Sequence, residues 1–249
     1  MTIELRAIAL KRGSRWLYED INLQIKAGEV VVLRGPNGCG KSSLLRAVAG
    51  FLPLEEGHVL LNGAPLDLQD TECPLQASWY GSNDGLNGEF TARQNLQIMA
   101  GLVGAGPVGS GKDLSPVLER DIFGLTSFLD IEARLLSTGQ RQRLALSNLH
   151  FNLGPRALWL LDEPNSGLDA DGRTAFEALL AAHQAKGGYV LMASHIALAE
   201  SLPHTTFEIG GPEIGGTEIG GPENIGTDNI GTDNIGPENI GPDNIGMER

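Results

Sequence analysis

EVVVLRGPNGCGKSSLLRAVAG, residues 29–50, is the stretch whose reading decides the fold. Four consecutive apolar residues, Val30 to Leu33, suit a strand buried on both faces of a parallel sheet. SSLLRAVAG then opens an apolar helix, and between the two GPNGCGKS fits the phosphate-loop pattern GxxxxGK[ST]. Glycines let the backbone curl until successive N–H groups face a phosphate, and the helix N-terminus favours the anion. Lys41 reaches the terminal phosphates and Ser42 can ligate Mg²⁺. An ordinary glycine-rich turn is the bland alternative; the strand before and the helix after favour nucleotide. Candidate ATP contacts are Gly35, Pro36, Asn37, Gly38, Cys39, Gly40, Lys41, Ser42 and Ser43.

Context matters, because GPVGSGKD at 106–113 repeats the spacing but ends in aspartate with no buried strand before it. That segment reads as a flexible loop and is assigned no nucleotide.

Working outward, RALWLLDEP (156–164) and GYVLMASH (188–195) are also short apolar runs. Strands alternating with helices predict an α/β P-loop fold with a mostly parallel core sheet. Ligands of such sheets bind at the carboxyl ends of strands, where Asp162 and Glu163 stand. Asp162 would hold Mg²⁺ and Glu163 would polarise the water that attacks a γ-phosphate. Alone, this acidic pair would more often be a helix-start charge pair. LSTGQRQRLALSNL (136–149) likewise has two readings. Ser137 and Gln140 form an S-x-x-Q capping box, and the same helix start, with Gly139 for close approach, is a good cradle for a γ-phosphate.

At this segment the chain resembles the ABC ATPase family, whose LSGGQ signature is matched by LSTGQ, with Thr138 in place of a glycine. The resemblance covers about the first 200 residues. It includes, in order, GPNGCGKS, LSTGQ, LLDEP, the SGLD segment ending at Asp169, and His195. It implies an ABC-type nucleotide-binding domain over residues 1–206, with an antiparallel β edge and a helical subdomain at about 84–150. It further implies ATP and Mg²⁺ as ligands, catalytic roles for Glu163 and His195, and nucleotide contacts from Ser137, Thr138, Gly139, Gln140 and Asp169. Such ATPases pair head to tail as homodimers, each phosphate loop facing the other copy's signature helix.

The chain departs from the family in two places. No aromatic stands at Lys11 to Gly13 to stack on adenine, which leaves Arg12 or apolar contact, and Asn83 occupies the position of a metal-sensing glutamine. Asparagine offers the same amide oxygen on a shorter arm.

Within the family, WYGSNDGLNGEFTARQNLQ (79–97) and LWLLDEPNSGLDADG (158–172) resemble ATPase subunits of cytochrome c maturation. That resemblance implies haem handling or export, an integral membrane subunit of the CcmB type, a CcmC-type subunit as a further candidate, and a peripheral location on the cytoplasmic face of the inner membrane. No direct haem site is evident. The alternatives are the ATPase of another small ABC exporter, a soluble non-transport ABC ATPase, and a P-loop kinase, in which LSTGQ and SGLD would have no role.

Composition agrees with this class. The 249 residues are 41% hydrophobic, with no apolar run of the roughly 18 residues that would span a bilayer and no basic start typical of a signal peptide. Cys39 and Cys73 form no metal or disulfide pattern. Of the net charge of −13, residues 208–249 carry −8, and the mildly acidic remainder has no basic stripe, so nucleic acid is not an expected partner.

From Glu208 the chain repeats a five-residue unit, EIGGP through DNIG. One isoleucine per unit offers little apolar area to offset chain entropy, so residues 207–249 are expected to be a disordered tail. The alternative is a pentapeptide β-solenoid, against which stands the acid two positions before each isoleucine in the DNIG units. Truncation after Thr206 is accordingly expected to leave the fold intact.

Overall fold

A computed structural model describes residues 1–81, 84–103 and 114–210. In chain order its elements are β1 (Thr2–Arg12), β2 (Arg15–Lys26), β3 (Val30–Arg34), α1 (Lys41–Val48), β4 (Glu56–Leu61), β5 (Ala64–Pro65) and β6 (Gln76–Tyr80). They continue with α2 (Ala92–Val103), α3 (Ser115–Leu118), α4 (Thr138–Ser147), β7 (Ala157–Asp162), α5 (Ala170–Ala185), β8 (Tyr189–Ala193) and β9 (Thr205–Glu208).

Two sheets arise from two hydrophobic periods. In β2, buried Ile21, Leu23 and Ile25 alternate with exposed Asn22, Gln24 and Lys26, the pattern of a strand with one wet face. It joins the four-stranded antiparallel sheet β2-β1-β4-β5. In β3 every valine is buried: Val30 and Val32 face one core, Val31 and Leu33 the other. That strand lies inside the five-stranded sheet β6-β7-β8-β3-β9, whose pairings are all parallel. The antiparallel strands form their own sheet beside the parallel one. One core joins this second sheet to α1 and one face of the parallel sheet. The other lies between the opposite face and residues of α2, α4 and α5.

The second core holds a buried polar stack. The His183 ring lies on Trp159 with centroids 3.7 Å apart. Its Nε2 faces the Tyr189 carbonyl at 3.3 Å, and the Gly154 amide approaches Nδ1 at 3.4 Å. Burial pushes its pKa down to about 4, so at neutral pH the ring is uncharged.

The end of the domain differs from the expected boundary at residue 206. β9 runs through that point, pairing Thr205 to Glu208 with Val31 to Arg34, and the Ile209 amide donates to the Arg34 carbonyl at 2.8 Å. Ile209 itself, in the first repeat unit, is wholly buried in the core beneath α1. The physical reason is local: TTFEI alternates, with Phe207 partly buried and Ile209 fully so, and completes the sheet edge beside β3. Removal after Thr206 would therefore strip half of a core strand. The repeats from residue 211 onward, and with them the disorder and solenoid readings, lie outside the described residues, as does the 106–113 segment.

A candidate nucleotide-binding cavity at the strand ends

Three adjacent parallel strands deliver the site. β3 leads into the phosphate loop, β7 ends on Asp162 and Glu163, and β8 is followed by Ser194 and His195. Their carboxyl ends open on a cavity of about 430 Å³ lined by Asn37, Gly38, Gly40, Lys41, Ser42, Ser43, Asp162, Glu163, Ser166 and His195, together with Arg12, Leu17 and Ile196.

The loop is shaped by glycines that have no substitute. Gly40 lies at φ +107°, and a Cβ there would meet the Tyr18 ring at 2.7 Å. Tyr18 of β2 is buried under the loop; burial, then Cys39, pushes its hydroxyl well above the usual range. A Cβ on Gly35 would collide with the Ile209 carbonyl, so the start of the loop rests on β9's extension. Lys41 is buried and curls back, its Nζ donating to the carbonyls of Gly35 at 2.7 Å and Pro36 at 3.1 Å. Its ammonium is thus parked over the cradle with only neutral acceptors, the state a phosphate anion would displace.

Beside it the Ser42 hydroxyl donates to Asp162 Oδ1 at 2.8 Å. A hydroxyl and a carboxylate in contact are two hard oxygen donors, suited to a hard cation. Glu163 holds a left-handed backbone, φ +52°, uncommon for a residue with a side chain. Its amide donates to Ala193 and its carbonyl accepts from Ser166, which fixes the turn on both sides. The carboxylate then meets His195: Oε2 accepts from the His195 amide at 3.2 Å, and Oε1 lies 3.4 Å from the ring Nε2. The sequence-predicted Glu163 and His195 are thereby in contact, although 32 residues separate them.

The signature segment is placed differently. Ser137 caps α4 through a complete box: its hydroxyl accepts from Gln140 N at 3.2 Å, and Gln140 Oε1 accepts from Ser137 N at 2.9 Å. Ser137, Gly139 and Gln140 do not line the 430 Å³ cavity. Thr138 lines an adjoining space of about 500 Å³ together with Tyr80, Asp84, Arg141, Gln142, Asp162 and Glu163. Burial pushes the Tyr80 hydroxyl up to about 12. Asp169 caps α5 by accepting from Gly172 N and pairs with Arg143 of α4; the Arg143 bond, then the Gly172 amide, hold its pKa below the usual value. Cys39 packs partly buried against the core. Asn83 lies outside the described residues.

Three anchors of α4 carried no motif of their own. Gln142 donates to the carbonyls of Pro164 and Ser166, Arg143 pairs with Asp169, and Arg141 forks onto Asp84 while also reaching the Ala133 carbonyl. Only the final folded distances could reveal these partners.

Fold and site together define a P-loop ATPase. Residues 18–166 match the ABC transporter family, and the chain belongs to that family as an ATP-binding and ATP-hydrolysing subunit. Among curated proteins it is similar to the cytochrome c biogenesis ATP-binding export protein CcmA of Pseudomonas savastanoi pv. phaseolicola, 36% identical over 197 residues that cover 79% of this chain and 89% of that protein. The CcmA of Nitrosococcus oceani is 39% identical over 197 residues, 79% of this chain and 87% of that one. Among solved structures, an ATP-binding subunit of an ABC transporter matches with a TM-score of 0.71 and 25% identity, over 84% of this chain and 86% of that chain. A dimeric bacterial ABC transporter cassette matches in fold with a TM-score of 0.68 and 22% identity, over 83% and 94%.

Proposed function

We propose that this chain is the ATP-hydrolysing subunit of a CcmA-type complex, energising haem handling or export for c-type cytochrome biogenesis. The relatives named CcmA support the subtype. The observation that carries the chemistry is the convergence, in one cavity, of Lys41, the Ser42–Asp162 pair and the Glu163–His195 contact.

ATP phosphates would settle over the start of α1, drawing Lys41 from the Gly35 and Pro36 carbonyls to the terminal phosphates. Adenine would rest against Arg12 and Leu17, since among the described residues no aromatic lines the cavity. Mg²⁺ fits the Ser42 and Asp162 oxygens and, when bound, supplies charge neutralisation at the β- and γ-phosphates. Glu163 takes a proton from water as the water oxygen bonds to the γ-phosphorus and the bond to the bridging oxygen breaks, releasing ADP and phosphate. His195 donates to the departing γ-phosphoryl group.

The site would be completed by a second copy. Ser137, Thr138, Gly139 and Gln140 of each chain would face the other copy's phosphate loop, with Asp169 at the junction, so a homodimer would hold two composite sites. No helix among the described residues is long and apolar enough to cross a membrane. Membrane passage would fall to integral subunits of the CcmB type, with CcmC a further associate, and the ATPase would sit peripherally on the cytoplasmic side. Exposed Phe90 and Ile131, flanking the Thr91–Glu132 bridge, and exposed Leu102 and Leu135 provide apolar surface for such a contact.

The deciding experiment is Glu163→Gln. ATP affinity should stay within a few-fold, while phosphate release falls by about 10²–10⁴, the usual worth of a positioned base. Release near the wild-type rate would remove Glu163 from the role.

A further inference from the structure

We propose that Arg34, the last residue of β3, is a positioning residue for ATP hydrolysis that acts on Glu163 and His195 through the Ser194–His195 peptide. Arg34 lies 160 residues from this peptide in sequence and lines neither nucleotide-side cavity, so any effect on the reaction must pass through another group. The inference rests on the assignment of Glu163 as the base.

The geometry is a short chain of hydrogen bonds. Arg34 Nη1 donates to the Ser194 carbonyl at 2.5 Å, and Nη2 donates to the Ile196 carbonyl at 3.1 Å. The planar fork of a guanidinium thus grips the backbone on both sides of His195, which a single ammonium could not do. The peptide whose carbonyl receives Nη1 is the one whose N–H belongs to His195, and that N–H donates to Glu163 Oε2. Polarising a peptide at its oxygen strengthens the bond its N–H donates, because linked hydrogen bonds reinforce one another. The cation, the peptide and the carboxylate are therefore in series.

Two further observations fit a built device. Ser194 is wholly buried and its hydroxyl is fully used: it donates to Asn165 Oδ1 at 2.7 Å, lies 3.0 Å from the Ile196 carbonyl, and accepts from the Ile196 amide at 3.0 Å. Asn165, 2% exposed, stands two residues after Glu163, so the same network ties the turn of Glu163 to the His195 loop. In addition, no acidic partner for Arg34 occurs among the ion pairs of the described residues. Its charge is spent on carbonyls next to the reacting centre. The Arg34 carbonyl meanwhile accepts from Ile209 and its Cα precedes Gly35, so one residue links β9, the phosphate loop and the His195 loop.

The test measures full-length Arg34→Met and Arg34→Lys for ATP affinity, kcat and melting, each alone and in the Glu163→Gln background, beside Glu163→Gln itself. Arg34→Met should lower kcat by about 10-fold or more while ATP affinity changes by less than about threefold, since the cradle itself is untouched. Arg34→Lys, with charge but no fork, should fall between, and its folded state serves the test if the methionine variant melts low. In the Glu163→Gln background, where the carboxylate that accepts the His195 N–H is gone, the same replacement should cost clearly less than in wild type, as expected for groups acting in one chain. Unchanged kcat in Arg34→Lys and Arg34→Met, loss of affinity in step with kcat, or an equal cost with and without the Glu163 carboxylate would overturn the proposal. If Glu163→Gln itself turns over normally, the assignment of the base fails, a result distinct from any of these.

Discussion

The chain has two helix starts assigned to phosphate, and they are prepared in opposite ways. The start of α1 has no side-chain cap: Gly40 takes the capping position at φ +107°, and the loop before it is stretched over packed groups, Tyr18 below and Ile209 behind. The start of α4 is closed by its own side chains, Ser137 and Gln140, in a reciprocal box. A helix N-terminus leaves unpaired N–H groups and a partial positive charge. At α1 no side chain caps those groups, whereas at α4 the Ser137 hydroxyl takes one of them, the Gln140 N–H. On the proposed reading, the first would bind the chain's own nucleotide while the second, exposed at Ser137 and Thr138, would face another copy.

The comparison is most sharply broken at the packing behind α1. Ile209→Ala should destabilise the domain by about 2–5 kcal/mol, the cost of truncating a buried aliphatic side chain. Ending the chain at Thr206 should cost more, with a lower cooperative transition in denaturant, while a chain ending at Gly210 keeps every strand of the described sheet and should melt with the full-length protein. A Thr206 truncation as stable as the whole chain would show that α1's loop needs no support from β9. A smaller effect is expected at the loop's cation: Lys41→Ala should weaken ATP binding by about 10–100-fold, the worth of a hydrogen bond to a charged group. Titration with a fluorescent nucleotide reads this directly. Smallest is the closed start of α4. Ser137→Ala should lower stability by about 0.5–2 kcal/mol through loss of the cap, and should leave the ATP affinity of the isolated chain unchanged. A loss of that affinity would mean that Ser137 serves its own chain's cavity.

These contrasts bear on what the sequence made legible. The loop at Gly35–Ser42 and the pair Asp162–Glu163 could be read because each is announced by the strand that precedes it within a few residues. The capping box of Ser137 and Gln140 is local too, and was read in full. Arg34, Gln142 and Tyr18 were not assigned their contacts, because a single arginine at a strand end or a tyrosine in an alternating strand has no spacing that names a partner far along the chain. Ile209 was lost for another reason. It opens a run of near-identical units, and composition hides the one unit whose register continues β9. The second sheet followed the same logic: alternation in β2 predicts one wet face but does not say which face of the other sheet it covers.

The central claim is that the two helix starts meet only between chains, which mixing tests most directly. Glu163→Gln and Ser137→Arg should each be nearly inactive alone. When the two are mixed, half of the random dimers are mixed pairs, each with one site free of both lesions, so activity should return to roughly a quarter of wild type if sites fire independently. A mixture no more active than its separate components would contradict composite sites and return the signature helix to its own chain.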